Sequence, residues 1–156
     1  EMGELRKKMP CALATGECLY TKFELSELIR ERGVDILQPE VCIVGGLTEM
    51  RKIAFIAEAH DLVIAPHNPM GPLATVSNLH FDTATLNFLV QESRKFTPAE
   101  MASVTHVSDV VDGYFPIPEG PGLGIDIAEA RFQEFPYKAS FHRGDRVNPD
   151  NSIAYI

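Results

Sequence analysis

The feature that most constrains this chain is a pattern that recurs along its first 92 residues. A short apolar run ends in an ionisable residue, and a turn with Gly or Pro and a helical stretch follow. The runs lie at 10–14, 34–37, 62–65 and 87–90, and they lead into Glu17, Glu40, His67 and Glu92. These four residues are 23, 27 and 25 positions apart. Continuous apolar runs, unlike alternating ones, suit strands buried on both faces of a parallel sheet. Strands that alternate with helices imply βαβ units. Two layouts share that pattern. A doubly wound sheet gathers its site at one switch point. A βα barrel brings every C-terminal strand end to a single face. Four successive strands that each deliver an acid or a histidine favour the barrel.

The helices between the runs carry their own signals. Thr21 and Glu24 stand at capping-box spacing, followed by Leu25, Leu28 and Ile29 at helical period. Gly33 is expected at the C′ position that ends this helix. After Gly45-Gly46, a helix is expected to turn Met50, Ile53, Ala54 and Ala57 to one face. After Gly71-Pro72, a further helix is expected to bury Leu73, Val76 and Leu79. Beyond residue 92 the pattern stops. Residues 93–156 are richer in Pro and Gly and predict irregular or extended structure, one short helix near 126–134, and a turn at Asn148-Pro149-Asp150-Asn151-Ser152.

Charge and cysteine content narrow the partners. The net charge of −8 disfavours phosphate backbones, so no nucleic acid is expected. Cys11, Cys18 and Cys42 form no CxxC pair, and their number is odd, as expected of free thiols in a reducing cytoplasm. No run approaches the roughly 18 apolar residues of a membrane span, and the N-terminus lacks the features of a signal peptide.

The strand-end set suits one kind of chemistry. A glutamate at a strand end is a hard oxygen ligand of the kind Mg2+ prefers. A histidine held by a carboxylate can act as a general base. A further acid can hydrogen-bond a developing enolate oxygen. Together these residues suggest proton abstraction beside a carboxylate. Any one of the acids alone is better explained as a helix cap or a solvated turn residue, and it is the recurrence of the set that points to a site. Glu17 is the one convincing metal oxygen, with Gln38 and Asp35 as alternatives. Four strands and one ligand both lead us to expect that an N-terminal half lies outside this sequence.

Several segments occur together in a familiar order: Ala14-Thr15-Gly16-Glu17, residues 34–40, Gly45-Gly46-Leu47-Thr48-Glu49, residues 65–72, and Gly120-Pro121-Gly122-Leu123-Gly124. With them the chain resembles the mandelate racemase and muconate-lactonising-enzyme group of the enolase superfamily. Within that group it is most similar to sugar-acid dehydratases of the galactonate type. The resemblance covers nearly all 156 residues but only the C-terminal part of a family member.

It implies an α/β fold, the C-terminal half of an enolase-type (β/α)7β barrel comprising strands 5 to 8. Residues 1–92 would form the half-barrel, and residues 93–156 a final helix region and a segment returning toward a capping domain. It also implies roles. Glu17 matches a Mg2+ ligand, His67 the base that removes the α-proton, Glu40 its carboxylate partner, and Glu92 the acid on the enolate. The partner of the base is usually Asp in the family and is Glu here.

The expected function is Mg2+-dependent dehydration of a small sugar acid by a cytoplasmic protein without membrane contact. A homo-oligomer is expected, because relatives commonly oligomerise. The competing readings are a racemase, epimerase or cycloisomerase on the same scaffold, and an inactive fragment. The 156 residues in isolation are expected to be inactive. His60, His80, His106 and His142 have no ligand-like spacing. The glycines at 120–124 predict a structural turn rather than a phosphate cradle, since neither a helix nor a lysine follows them.

Overall fold

A computed structural model of the chain describes residues 1–105 and 110–134. In chain order the elements are α1 (Met2–Arg6), β1 (Ala14–Thr15), α2 (Lys22–Arg30), β2 (Ile36–Leu37), α3 (Val41–Val44), α4 (Leu47–Glu58), β3 (Val63–Ile64), α5 (Pro72–Thr83), α6 (Pro98–Ala102) and α7 (Glu129–Glu134). The strands form a parallel sheet in the order β1-β2-β3, with Ala14 opposite Ile36 and Ile36 opposite Val63. The fourth apolar run joins as a single parallel bridge, Phe88 to Ile64. There the Ile64 N–H donates to Asn87 O, and the Leu89 N–H donates to Ile64 O, both at 2.8 Å. Among the described residues sequence order equals spatial order, without a switch point, and the arrangement is half of a βα barrel.

The regular ladders are shorter than the apolar runs suggest. Prolines explain this on two strands. Pro39 follows β2 and Pro66 follows β3 closely, and neither can donate to a ladder. Contact between the strands continues around them, with Gln38 N–H donating to Thr15 O at 3.0 Å, Ala65 N–H to Leu37 O at 2.9 Å and His67 N–H to Pro39 O at 3.2 Å. The strand-end residues are therefore tied laterally to their neighbours. Gly16 permits this approach. Its φ is +141°, and a Cβ there would lie 3.1 Å from the Gln38 backbone nitrogen.

The core lies between the sheet and its covering helices. Leu25 and Ile29 of α2, Met50, Ile53, Ala54 and Ala57 of α4, and Leu37 and Ile64 of the sheet belong to one buried cluster. A fully buried side chain of the size of Leu or Ile contributes about 1.5–3 kcal/mol relative to exposure. The four α4 residues expected to face inward do so. At the start of α2, Thr21 and Glu24 form the expected capping box.

Two expectations are corrected. Gly33 is not the C′ residue of α2. Arg32 takes that position at φ +50°, and its N–H donates to Ile29 O, while Gly33 N–H donates to Leu28 O. This is the Schellman pattern with Gly33 one place later. Gly33 is needed for space, because a Cβ would lie 2.8 Å from both Leu28 Cδ1 and Met2 Cβ. On α5, Leu73 is exposed and Val76 is buried, and the inward face includes Thr75, Asn78, Phe81 and Asp82. Thr75 on that face is held by Asn68, described below.

The short helix expected near 126–134 is α7. The 120–124 region is a turn, closed by Gly124 N–H donating to Pro121 O, and His80 Nε2 lies 3.0 Å from Leu123 O. His106, His142 and the turn expected at 148–152 lie outside the described residues.

Candidate active site

Three of the four strand-end residues meet. His67 lies between two carboxylates, with Nδ1 3.1 Å from Glu40 Oε2 and Nε2 3.0 Å from Glu17 Oε2. The environments differ. The Glu40 side chain is 0% exposed, that of His67 19% and that of Glu17 52%. A carboxylate only accepts, so each contact calls for a hydrogen on the facing ring nitrogen, and the ring turns Nδ1 to the buried Glu40 and Nε2 to the half-exposed Glu17 on the open side.

Glu40 is also the N-cap of α3, its Oε1 accepting from Cys42 N–H at 3.2 Å. The structural role and the catalytic candidate are thus the same residue. One oxygen caps the helix while the other faces the imidazole. The glutamate is long enough to reach the ring in this fold. Beside it, burial and then the Glu40 carboxylate push the Cys42 thiol up, which disfavours the thiolate and a nucleophilic role for this cysteine.

Glu92 does not touch His67 directly but is fixed one residue away. Its Oε2 accepts from the Asn68 backbone N–H at 2.9 Å. Asn68 is the residue whose part was not anticipated. It is 1% exposed, and its Nδ2 donates to Thr75 Oγ1 at 2.8 Å and to Glu92 O at 3.2 Å. It clamps the turn after β3 to α5 and to the end of the fourth run. The signal was present in Pro66-His67-Asn68-Pro69, where two prolines isolate one amide between rigid neighbours.

The alternative oxygen ligands are placed elsewhere. Asp35 accepts from Arg6 Nε at 2.8 Å and also from Arg6 Nη2, and from Leu13 N–H at 3.0 Å. The Arg6 hydrogen bonds, then that of Leu13, hold its carboxyl below the usual carboxylate range. Gln38 and Glu17 instead line one cavity of about 410 Å3 beside β1. Among the described residues no three His, Cys, Asp or Glu side chains converge as a metal site. Glu17 offers a suitable hard oxygen, but one donor does not make a Mg2+ site. These residues by themselves do not fit the ion.

Comparison with known proteins identifies the family. Residues 1–131 match the model of the family described as enolase C-terminal domain-like. An enolase from Agrobacterium radiobacter, provisionally assigned as a galactarate dehydratase and bound to Na and L-malate, is 38% identical with a TM-score of 0.85, over 99% of this chain and 43% of its own. A mandelate racemase/muconate lactonizing enzyme from Jannaschia sp. CCS1 is 32% identical with a TM-score of 0.83, over 90% and 36%. A provisionally assigned dehydratase from Salmonella enterica serovar Typhimurium is 32% identical with a TM-score of 0.82, over 86% and 34%. The chain belongs to the enolase superfamily, in its mandelate racemase/muconate lactonizing enzyme group, and corresponds to the C-terminal part of the barrel. It spans less than half the length of these relatives. Among the described residues, no helix is long and apolar enough to cross a membrane.

Proposed function

We propose that this chain supplies the proton-transfer half of a sugar-acid dehydratase. His67 removes the proton α to the substrate carboxylate, and loss of the β-hydroxyl as water follows. The observation that carries this reading is the His67 ring held at Nδ1 by a fully buried carboxylate. That contact orients the ring, and Nε2 becomes the nitrogen available as a base once Glu17 has turned away.

Glu17 now faces that nitrogen, so its side chain has to swing aside before a substrate C–H can approach. Its side chain is half-exposed, with solvent to turn into. Glu92, held by Asn68 N–H, is the acid that meets the developing enolate oxygen. Mg2+, which these residues alone do not hold, would supply positive charge to such a reaction, and Glu17 would be the one oxygen this chain offers it. The 156 residues unaided are therefore expected to be inactive. The substrate class is a small hydroxylated acid, a reading supported by L-malate in the Agrobacterium structure and the dehydratase assignments of two relatives.

The test is a chimera that joins the portion of the Agrobacterium enolase not matched here to this chain. With Mg2+ and galactarate in D2O it should exchange the α-proton and release water. His67→Ala should slow exchange by about 10²–10⁴-fold, the usual contribution of a general base. Exchange at the parent rate in that variant would remove His67 from the role.

A further inference from the structure

The segments that carry His67 and Glu92 are joined by side chains where a backbone ladder cannot continue. Backbone pairing reaches as far as Leu89 N–H donating to Ile64 O. Beyond it, Pro66 and Pro69 have no N–H to give, and His67 N–H is taken by Pro39 O on the other side. Side chains supply the next rungs. Gln91 Nε2 donates to Pro66 O at 3.2 Å, Asn68 N–H to Glu92 Oε2 at 2.9 Å and Asn68 Nδ2 to Glu92 O at 3.2 Å. A further rung is Arg94, whose Nε donates to Pro69 O at 2.6 Å.

Arg94 is itself held. Its Nη1 donates to Glu100 Oε2 at 3.1 Å and its Nη2 to Glu100 Oε1, a two-pronged contact. Nη1 also donates to Lys95 O at 3.3 Å, and the guanidinium lies 5.5 Å from the centre of the Phe96 ring. Glu100 is anchored in the capping box of α6, its Oε2 accepting from Thr97 N–H at 2.8 Å and from Thr97 Oγ1 at 2.9 Å. The Arg94 hydrogen bonds, then that of the Thr97 backbone, bring its carboxyl down to about 2, so Glu100 is charged at neutral pH. Glu92, Ser93, Arg94 and Lys95 are exposed. Packing therefore does little to hold this stretch, and the polar rungs decide where it lies.

We propose that Arg94 is a positioning residue of the proton-transfer site, tying the Glu92 segment to the turn that carries His67 and Asn68, and both to α6. The role rests on the reading of His67 as base and Glu92 as acid. One guanidinium presents donors on Nε and on both Nη, so it serves Pro69 O and the Glu100 carboxylate at once. A lysine has a single nitrogen and no such fork. The Asn68 contacts place the Glu92 carboxylate, and Arg94 keeps the two segments from parting just beyond it.

The experiment follows the 156-residue chain by 1H–15N NMR across a pH titration. Asn68 N–H donates to the Glu92 carboxylate, so its amide signal should move in step with the ionisation of Glu92, and Glu92→Gln should abolish that step. Arg94→Lys, Arg94→Met and Glu100→Gln should each lose most of it, while the amide signals of Leu25 and Ile53 in the core stay in place. Arg51→Met, which removes an exposed arginine from α4, should keep it. In the chimera, Arg94→Lys should lower kcat by about tenfold or more and leave KM near the parent's, because it displaces the acid and touches no substrate. The proposal is overturned by the full step in either Arg94 variant or in Glu100→Gln, by a step that survives Glu92→Gln, by an equal loss in Arg51→Met, or by parental kcat in Arg94→Lys. Collapse of the core signals in both Arg94 variants would also overturn it, making Arg94 a residue of the fold. A parent chimera that does not exchange the α-proton counts against the dehydratase reading instead, and the NMR titration still decides the positioning role.

Discussion

Glu40 has two duties, and they constrain each other. Its Oε1 caps α3 and its Oε2 faces His67, with no exposed surface on the side chain. Glu40→Ala would leave the Cys42 N–H and the His67 ring without that acceptor. The expected loss is about 1–3 kcal/mol of stability, read from the urea midpoint of the chain. A midpoint equal to the parent's would show that the carboxylate is dispensable to the fold. Asp82 makes the opposite kind of prediction. Its carboxyl rises from an ordinary 3.8 to about 8 through burial. Between those values the folded chain holds a proton that the unfolded chain releases, so stability is full below about pH 4 and falls as pH rises toward 8. The steepest slope is about 1.4 kcal/mol per pH unit for one group. Asp82→Asn should remove that fall, narrowing the gap between melting temperatures near pH 5 and pH 8.5. An unchanged gap would rule out Asp82 as its source.

At the scale of elements, the ends matter more than the middles. The α2 cap residues Thr21 and Glu24 are local, and their pairing needs no tertiary help. The other end of α2 depends on what packs beside it. Met2 of α1 and Leu28 crowd the place where a Gly33 side chain would stand. Gly33→Ala should therefore lower stability by about 1–3 kcal/mol through overpacking, seen as a lower melting temperature. A neutral result would mean that α1 shifts freely. On α5 the inward face includes Thr75, which the Asn68 amide reaches across the turn. Asn68→Ala should loosen that turn and weaken the hold on the Glu92 backbone. In the chimera its effect should fall on kcat more than on KM, because it positions the acid and touches no substrate.

At the scale of the whole molecule, the sheet is open. β1 and the Phe88 strand are its outer members, and near the latter Leu86 is 94% exposed, Leu89 50% and Val90 57%. An exposed apolar strand edge invites pairing with another chain. The 156-residue chain is expected to self-associate with rising concentration, and Leu89→Lys to shift it toward monomer, as measured by light scattering behind size exclusion. Equal association in both proteins would place the contact elsewhere.

The sequence by itself determined the repeating βα order, the inward face of α4, the capping box of α2 and the four strand-end residues. These are local or periodic properties, set by side-chain spacing along one element. Only the tertiary structure decided that Glu17, His67 and Glu40 touch, because they come from three strands whose register is set by backbone pairing across the sheet. It also decided that Asn68 holds Glu92, that Arg32 rather than Gly33 takes the left-handed place, and that α5 turns Asn78 and Asp82 inward. In each of these cases a contact with a residue distant in sequence or from a neighbouring element outweighed the local pattern. Hydrophobic period cannot encode that outcome, since it records which side of an element is apolar and not what lies against it.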